Sequence, residues 1–276
     1  MKEFHIISSG LSLITNAQKA GVLEGKGVRE EEYWDNVLQD RKKIDDLFNF
    51  LAENPKENSA ELNTFLRVVE GKEPKNIEVY LFGTKTKSNE LCRRVIERFL
   101  KEKGFIIYIP YEVSGYFWDA QFDESVAKNE FQKGISELLD RLIYLAMKKQ
   151  QEGYKVYFNP TGGFKAHVIA TALAGFMTNS EIYYMHEEFN DVIFIPLLFY
   201  LPKGKEIDVL KKISDKCLIS GDEARTLVNE SQDEVNRLQV YGLIEVEKDQ
   251  TSNSIYRIKI TNKGKLIIEQ LRQIIK

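Results

Sequence analysis

The chain has 276 residues, 43% of them hydrophobic and 29% charged, with a formal net charge of -3. That balance excludes a disordered or collagen-like chain, and it provides no overall basic field for holding long nucleic acid, though a local basic pocket for a small anion remains open. The two cysteines, Cys92 and Cys217, are too far apart for a disulfide framework or a CxxC zinc site and suit a reducing compartment. The leading MKEFHIISSG has too short an apolar run for a signal peptide. The longest apolar run, Val192–Leu201, contains Pro196 and falls short of the ~20 residues of a membrane span. A soluble cytoplasmic protein is expected.

In chain order, Phe4–Ser8 reads as a buried strand closed by a Ser8-Ser9-Gly10 turn. A charged helical region follows from Glu30 to Glu70, with Leu38, Ile44, Leu47, Phe48 and Leu51 on one face and a break at Asn54-Pro55. It is long for one crossover and is expected to pack outside the sheet. Strand and helix then alternate: Ile77–Phe82, Asn89–Lys103, Phe105–Tyr111, Glu124–Gln151, Tyr154–Phe158 and Phe164–Met177. Glu181–Met185 and Val192–Leu198 end the series as strands, read as an antiparallel hairpin at the sheet edge. This order implies an α/β fold, a Rossmann-like, mostly parallel sheet with helices on both faces, over residues 1–202.

Pro202-Lys203-Gly204 marks the boundary of a second domain, 203–276. Glu206–Cys217 reads as a helix, and Ser220 and Ser231 each begin another with a Ser-x-x-Glu capping signature. Leu243–Val246 and Tyr256–Ile260 read as strands around a polar turn, Asp249–Ser254, before a last helix, Thr261–Ile275. Three helices, a two-stranded wing and a closing helix suggest a winged helix-turn-helix.

Ligands of parallel sheets bind beyond the C-terminal strand ends. Three strands end there in small polar residues: Ser8, Ser9, Gly10, Leu11 and Ser12, with Thr15 and Asn16 a turn later; Gly83, Thr84 and Lys85; and Asn159, Pro160, Thr161, Gly162, Gly163, Phe164 and Lys165. The third loop puts glycines at a helix N-terminus, where free N–H groups and the helix dipole favour a phosphate. Lys165 sits in the first turn, beside that anion or simply solvated. The serines near Gly10 read either as ligand contacts or as helix caps. Thr84 and Lys85 form a polar turn by default. Neither a Walker loop nor Gly-x-Gly-x-x-Gly is present. His5, His167 and His186 have no metal-ligand spacing, so the first two read as structural and no metal or cofactor is expected. Glu187 and Glu188 read as a solvated strand end.

At the 8–16 and 159–165 loops the sequence resembles the CRISPR-associated Rossmann fold (CARF) proteins, sensors of cyclic oligoadenylates in type III systems. The resemblance covers residues 1–200, and Phe131-Gln132-Lys133-Gly134 also looks like the family's pattern. It implies a homodimer binding a cyclic oligoadenylate, usually the tetramer, across its two-fold axis, which presents each loop twice. The Arg-x(4–6)-His mark of a HEPN ribonuclease precedes neither His167 nor His186. Two options then follow from the resemblance. One is a ring nuclease in which Ser12 or Ser9 orients the reacting group and Lys165 stabilises negative charge. The other is a ligand-responsive DNA-binding regulator. Residues 201–276 carry 14 basic and 12 acidic side chains, and the expected recognition helix opens Ser231-Gln232-Asp233-Glu234 with only Arg237 cationic before Gly242. A DNA reader, with Lys248 and Arg257 on its wing, a dimerisation module and a lid over the ligand all stay open for this domain. A sensor that binds the ring without cutting it needs the same pocket, and a mononucleotide or sugar-phosphate enzyme stands outside the family.

Overall fold

The computed structural model describes residues 2–109, 124–186, 191–195, 200–248 and 255–274. The chain divides into two compact units, Met1–Pro196 and Leu197–Lys276.

In the first unit, β1 (Glu3–Ser8) leads through α1 (Ser12–Lys19), α2 (Glu31–Gln39), α3 (Arg41–Glu53), α4 (Pro55–Asn58) and α5 (Ala60–Val68) to β2 (Ile77–Phe82). Then come α6 (Lys87–Glu102), β3 (Ile106–Ile107), α7 (Glu124–Gln151), β4 (Lys155–Asn159), α8 (Lys165–Met177), β5 (Glu181–His186) and β6 (Asp191–Ile195). The sheet runs β3-β2-β1-β4-β5-β6, parallel except for the β5–β6 hairpin.

Period-two alternation sorts each central strand between two cores. Ile7, Ile77, Val79 and Leu81 face one side with Trp34, Leu47, Leu51, Leu62 and Phe65. Phe4, Ile6, Tyr80, Phe82 and Phe158 face the other with Leu142, Ala170 and Ala174. Truncating one of the buried Leu, Ile or Phe side chains to Ala costs about 2–5 kcal/mol. The 30–70 region therefore does not lie outside the sheet, as its length suggested. It breaks at Asp40, which caps α3 through the N–H groups of Lys42 and Lys43, and at Asn54 and Ser59. The resulting short helices fold back, and their apolar faces build one of the two cores. The strand expected over Phe105–Tyr111 is only Ile106–Ile107, and Pro110 and Tyr111 lie outside the described residues. So do Glu187, Glu188, residues 196–198 of the last expected strand and Asp249–Ser254.

Ion pairs line the N-terminal rim of the sheet. Glu3 accepts from Lys72 Nζ at 3.0 Å and lies 3.2 Å from His5 Nε2. Burial alone would raise the Glu3 pKa, but His5 and Lys72 outweigh it and hold the carboxyl at about 2. His5 is fully buried, stacked on Tyr157 and bonded to the Tyr183 hydroxyl at 2.9 Å. Lys149 Nζ meets Glu78 at 2.8 Å under the rings of Phe4, Tyr108 and Tyr154.

The second unit contains α9 (Lys205–Lys216), β7 (Leu218–Ser220), α10 (Gly221–Glu230), α11 (Gln232–Val240), β8 (Ile244–Lys248), β9 (Ile255–Ile260) and α12 (Asn262–Ile274). Its own core gathers Leu210, Ile213, Leu227, Leu238, Ile258 and Ile267. Two expectations are corrected. The sheet has three strands, because β7 adds to β9 in the order β7-β9-β8. Ser220 and Ser231 hold the N-cap positions of α10 and α11, but neither side chain makes the capping hydrogen bond.

Candidate functional site

β1, β2 and β4 end level, with Ser8 opposite Phe82 and Ile7 opposite Asn159. The strand order reverses direction between β1 and β4, where open parallel sheets hold ligands. The first and third polar loops meet at that point. A Cβ on Gly10 would lie 2.5 Å from the Gly163 nitrogen, and one on Gly163, whose φ is +99°, would lie 2.6 Å from Ser8 Oγ. Only glycine fits at either place. The second loop joins through Asn89, whose Nδ2 donates to the carbonyls of Ser9 (2.9 Å) and Gly10 (3.2 Å).

Two helix N-termini open onto this junction. α1 begins after Leu11 and α8 after Phe164, both without a side-chain cap and without an acidic residue in the first turn. In the same unit Asp40 caps α3, Ser59 caps α5 and Thr86 caps α6, while α2 and α4, which also lack a side-chain cap, carry Glu31, Glu32 and Glu57 in their first turns. Uncapped N–H groups at two converging helix ends suit an anion. Lys165 is exposed on α8 and makes no hydrogen bond or ion pair among the described residues. Ser8 and Ser9 are buried beside the junction, and neither hydroxyl has a hydrogen-bond partner among the described residues.

Other expected residues are committed to the scaffold. Asn16 Nδ2 donates to the Glu57 carbonyl at 3.1 Å, so it anchors α1 to α4, while Thr15 is exposed one turn into α1. Asn159 is buried, with Oδ1 accepting from the Thr161 N–H at 3.1 Å; the Thr161 hydroxyl in turn accepts from the Met185 N–H. The Thr84 hydroxyl pairs with that of Thr86 at 3.3 Å, and Lys85 is exposed. Pro160 and Gly162 carry the chain from β4 to Gly163. Phe164 is 51% exposed and meets Phe131 edge to face at 6.2 Å, which brings the third motif of the sequence to the same loop. His167 is fully buried in the first turn of α8, and burial pushes its imidazole down to about 4. Among the described residues no group of His, Cys, Asp and Glu is placed to hold a metal ion, and no helix is long and apolar enough to cross a membrane.

Sequence reasoning missed Glu61. It is 1% exposed, and its carboxylate accepts from the Gly10 N–H, from Ser12 Oγ at 2.9 Å and from Ser59 Oγ at 2.8 Å. A Cβ on Gly162 would lie 2.3 Å from its Oε1. One carboxylate thus touches both glycine loops. An acid in the second position of an amphipathic helix is an ordinary sight, and nothing local marks it for burial.

In the second unit, Arg237 Nε pairs with Glu206 at 2.6 Å, Arg257 with Glu247, and Lys216 with Glu223. The one cation of the expected recognition helix is thereby held by a carboxylate of its own unit.

Solved structures similar to the chain include the following two. Protein VC1899 from Vibrio cholerae has 9% identity and a TM-score of 0.30, over 71% of this chain and 61% of that one. Can2 from Sulfobacillus thermosulfidooxidans, in complex with cyclic tetra-adenylate, has 14% identity and a TM-score of 0.29, over 77% of this chain and 63% of that one. The chain thus spans under two thirds of either length, and scores this low do not establish a shared fold. The family model described as CRISPR-associated protein (Cas_APE2256) matches residues 56–198, which is more than half of the chain and includes β2, β4, α8 and the 159–165 loop. The chain belongs to this CRISPR-associated family.

Proposed function

We propose that the first unit binds a cyclic oligoadenylate, most simply cyclic tetra-adenylate, and cleaves it to linear products ending in a 2′,3′-cyclic phosphate, switching off type III CRISPR signalling. The observation that carries this reading is the meeting of two helix N-termini without side-chain caps at Gly10 and Gly163, beside an exposed Lys165 that pairs with nothing among the described residues. Such a site holds a phosphodiester through backbone N–H groups and leaves a cation for the charge that builds during reaction. The ribose 2′-oxygen attacks the adjacent phosphorus, the bond from phosphorus to the 5′-oxygen breaks, and the 2′-hydroxyl proton passes to water. Lys165 stabilises the phosphorane or gives a proton to the departing 5′-oxygen. Of the two candidate serines, Ser9 is buried and Ser12 is half-buried, which favours Ser12 as the one that touches the ring. Positioning and charge stabilisation suffice for this chemistry, so no metal or cofactor is invoked.

The ring's symmetry calls for a homodimer. α8 exposes Ile169, Leu173 and Met177 along one stripe, and neighbouring α7 exposes Tyr144 and Met147, an apolar face of the kind a second copy covers. We read the second unit as a winged helix-turn-helix from its order of helices and strands. The engagement of Arg237 by Glu206 weighs against DNA reading, since non-specific affinity needs several free phosphate contacts.

Incubation with cyclic tetra-adenylate in EDTA, followed by chromatography, tests the reading. Linear di-adenylate with a 2′,3′-cyclic phosphate is expected. An intact ring that binds tightly would leave a sensor, and a ligand-dependent gel shift on DNA would then establish the regulator. Neither binding nor cleavage of this ring or of cyclic hexa-adenylate would overturn the reading.

A further inference from the structure

Glu61 does more than hold two loops together. Ser12 has one proton and two lone pairs. The proton goes to Glu61 Oε2 at 2.9 Å, and one lone pair accepts the Ala60 N–H at 3.0 Å. Ser59 is committed in the same way, donating to Oε2 and accepting from the Leu62 N–H at 3.3 Å. The other oxygen, Oε1, takes the Gly10 N–H. What Ser12 has left for a ligand is a single lone pair.

We propose that Glu61 is a positioning residue that fixes Ser12 as a hydrogen-bond acceptor, so that Ser12 recognises a proton-bearing ligand group, the ribose 2′-hydroxyl, and not a phosphate oxygen. This rests on the cyclic-oligoadenylate reading and deepens it. A diester phosphate has no proton to donate, and a second acceptor facing the Ser12 lone pair would be repelled. The phosphate is left to the N–H groups at the starts of α1 and α8 and to Lys165. The division of labour is physical: donors for the anion, one acceptor for the nucleophile. It also explains the asymmetry of the clamp. Because Oε1 is bound to an N–H and Oε2 to two hydroxyls, replacing the carboxylate by an amide forces the amide oxygen toward Gly10 and the NH2 group toward Ser12. The NH2 then donates to Ser12, whose proton turns toward the ligand. Glu61→Gln therefore reverses the polarity of Ser12 with almost no change of shape.

The test uses two rings, cyclic tetra-adenylate and its all-2′-deoxy counterpart, which has no 2′-hydroxyl. Affinities are measured by calorimetry in a Lys165→Ala background at low temperature, with ring integrity checked by chromatography. With Glu61 and Ser12 intact, the ribose ring is expected to bind about tenfold to a hundredfold more tightly than the deoxy ring, the worth of one hydrogen bond at each of the dimer's two Ser12 side chains. Ser12→Ala should abolish that preference. Glu61→Gln should abolish or invert it, whereas a merely structural Glu61 would weaken both rings equally. A preference for the hydroxyl that survives Glu61→Gln in a folded protein would overturn the proposal. If Glu61→Gln does not fold, a preference that survives in Ser12→Ala overturns it too. Binding of neither ring to the wild-type chain would instead overturn the cyclic-oligoadenylate reading, and this proposal with it.

Discussion

α6 and α8 start alike and end up opposite. Each follows a parallel strand and a glycine-containing loop at the same end of the sheet, and each opens with a lysine and buries its third residue. In α6 the Thr86 hydroxyl caps the Asn89 N–H, Glu31 accepts from the Lys87 N–H, and Lys87 Nζ pairs with Asp35 and Glu90. In α8 the N-cap is Phe164, there is no acid in the first turn, and Lys165 pairs with nothing among the described residues. One strand–loop–helix unit has satisfied its helix end internally, while the other has no side-chain cap and no acid in its first turn. The difference lies in which neighbours supply carboxylates and hydroxyls, not in the backbone architecture.

The largest effect that bears on this contrast comes from acid. The third residue of α8 is His167, buried and held to about 4, and a proton there would sit at the positive end of the helix dipole. Between pH 6.5 and about 4 the unfolded chain binds a proton that the folded chain refuses. Stability therefore falls as pH drops through that window, by up to about 3 kcal/mol, and is fully present above it. Urea midpoints at pH 7 and 4.5 should diverge less in His167→Gln than in the wild type, whereas equal divergence would assign the acid sensitivity elsewhere. Next comes Gly163→Ala, which forces a side chain into positive φ and against Ser8 Oγ. A loss of at least about 2 kcal/mol in denaturant unfolding is expected, together with loss of ring binding. Wild-type behaviour would show that the loop can relax at that point. Lys165→Ala should lower ring turnover at least ~10-fold, one charge-assisted contact in the transition state. Lys87→Ala, its counterpart on α6, should leave turnover within about twofold, and equal losses in the two variants would erase the contrast. The smallest effect is that of Thr86→Ala, about 1 kcal/mol of stability from a lost cap, with ring affinity unaltered.

What the sequence makes legible here is whatever short-range pattern dictates. The Ser8-Ser9-Gly10 and Asn159–Lys165 loops stand out because glycine and proline punctuate the ends of apolar strands. The apolar run of Ile77–Phe82, closed by Gly83-Thr84, likewise reads as a strand, and all six of its residues are buried. Glu61 and Asn89 are invisible at that level, since an acid or an amide in a first helical turn is ordinarily solvated, and only the closure of the sheet surrounds them. The packing of α2, α3 and α5 onto the sheet was hidden for the same reason: an amphipathic face says that something covers it, not what. β7 is three residues long, and only its pairing with β9 makes it a strand.

The place of β1 in the sheet has a consequence for how the protein is made. One edge of β1 pairs with β2, but the other waits for β4, with Glu3 opposite Lys155. At ribosomal speeds of roughly 5–20 residues per second, that edge stays bare for about 7 to 30 seconds. During that interval the nascent chain presents Phe4-His5-Ile6-Ile7 as an open strand edge, a template for a neighbouring nascent chain on the same messenger. Slow translation between β2 and β4 should thus favour aggregation, and a chaperone that shields this edge should raise the yield of native protein.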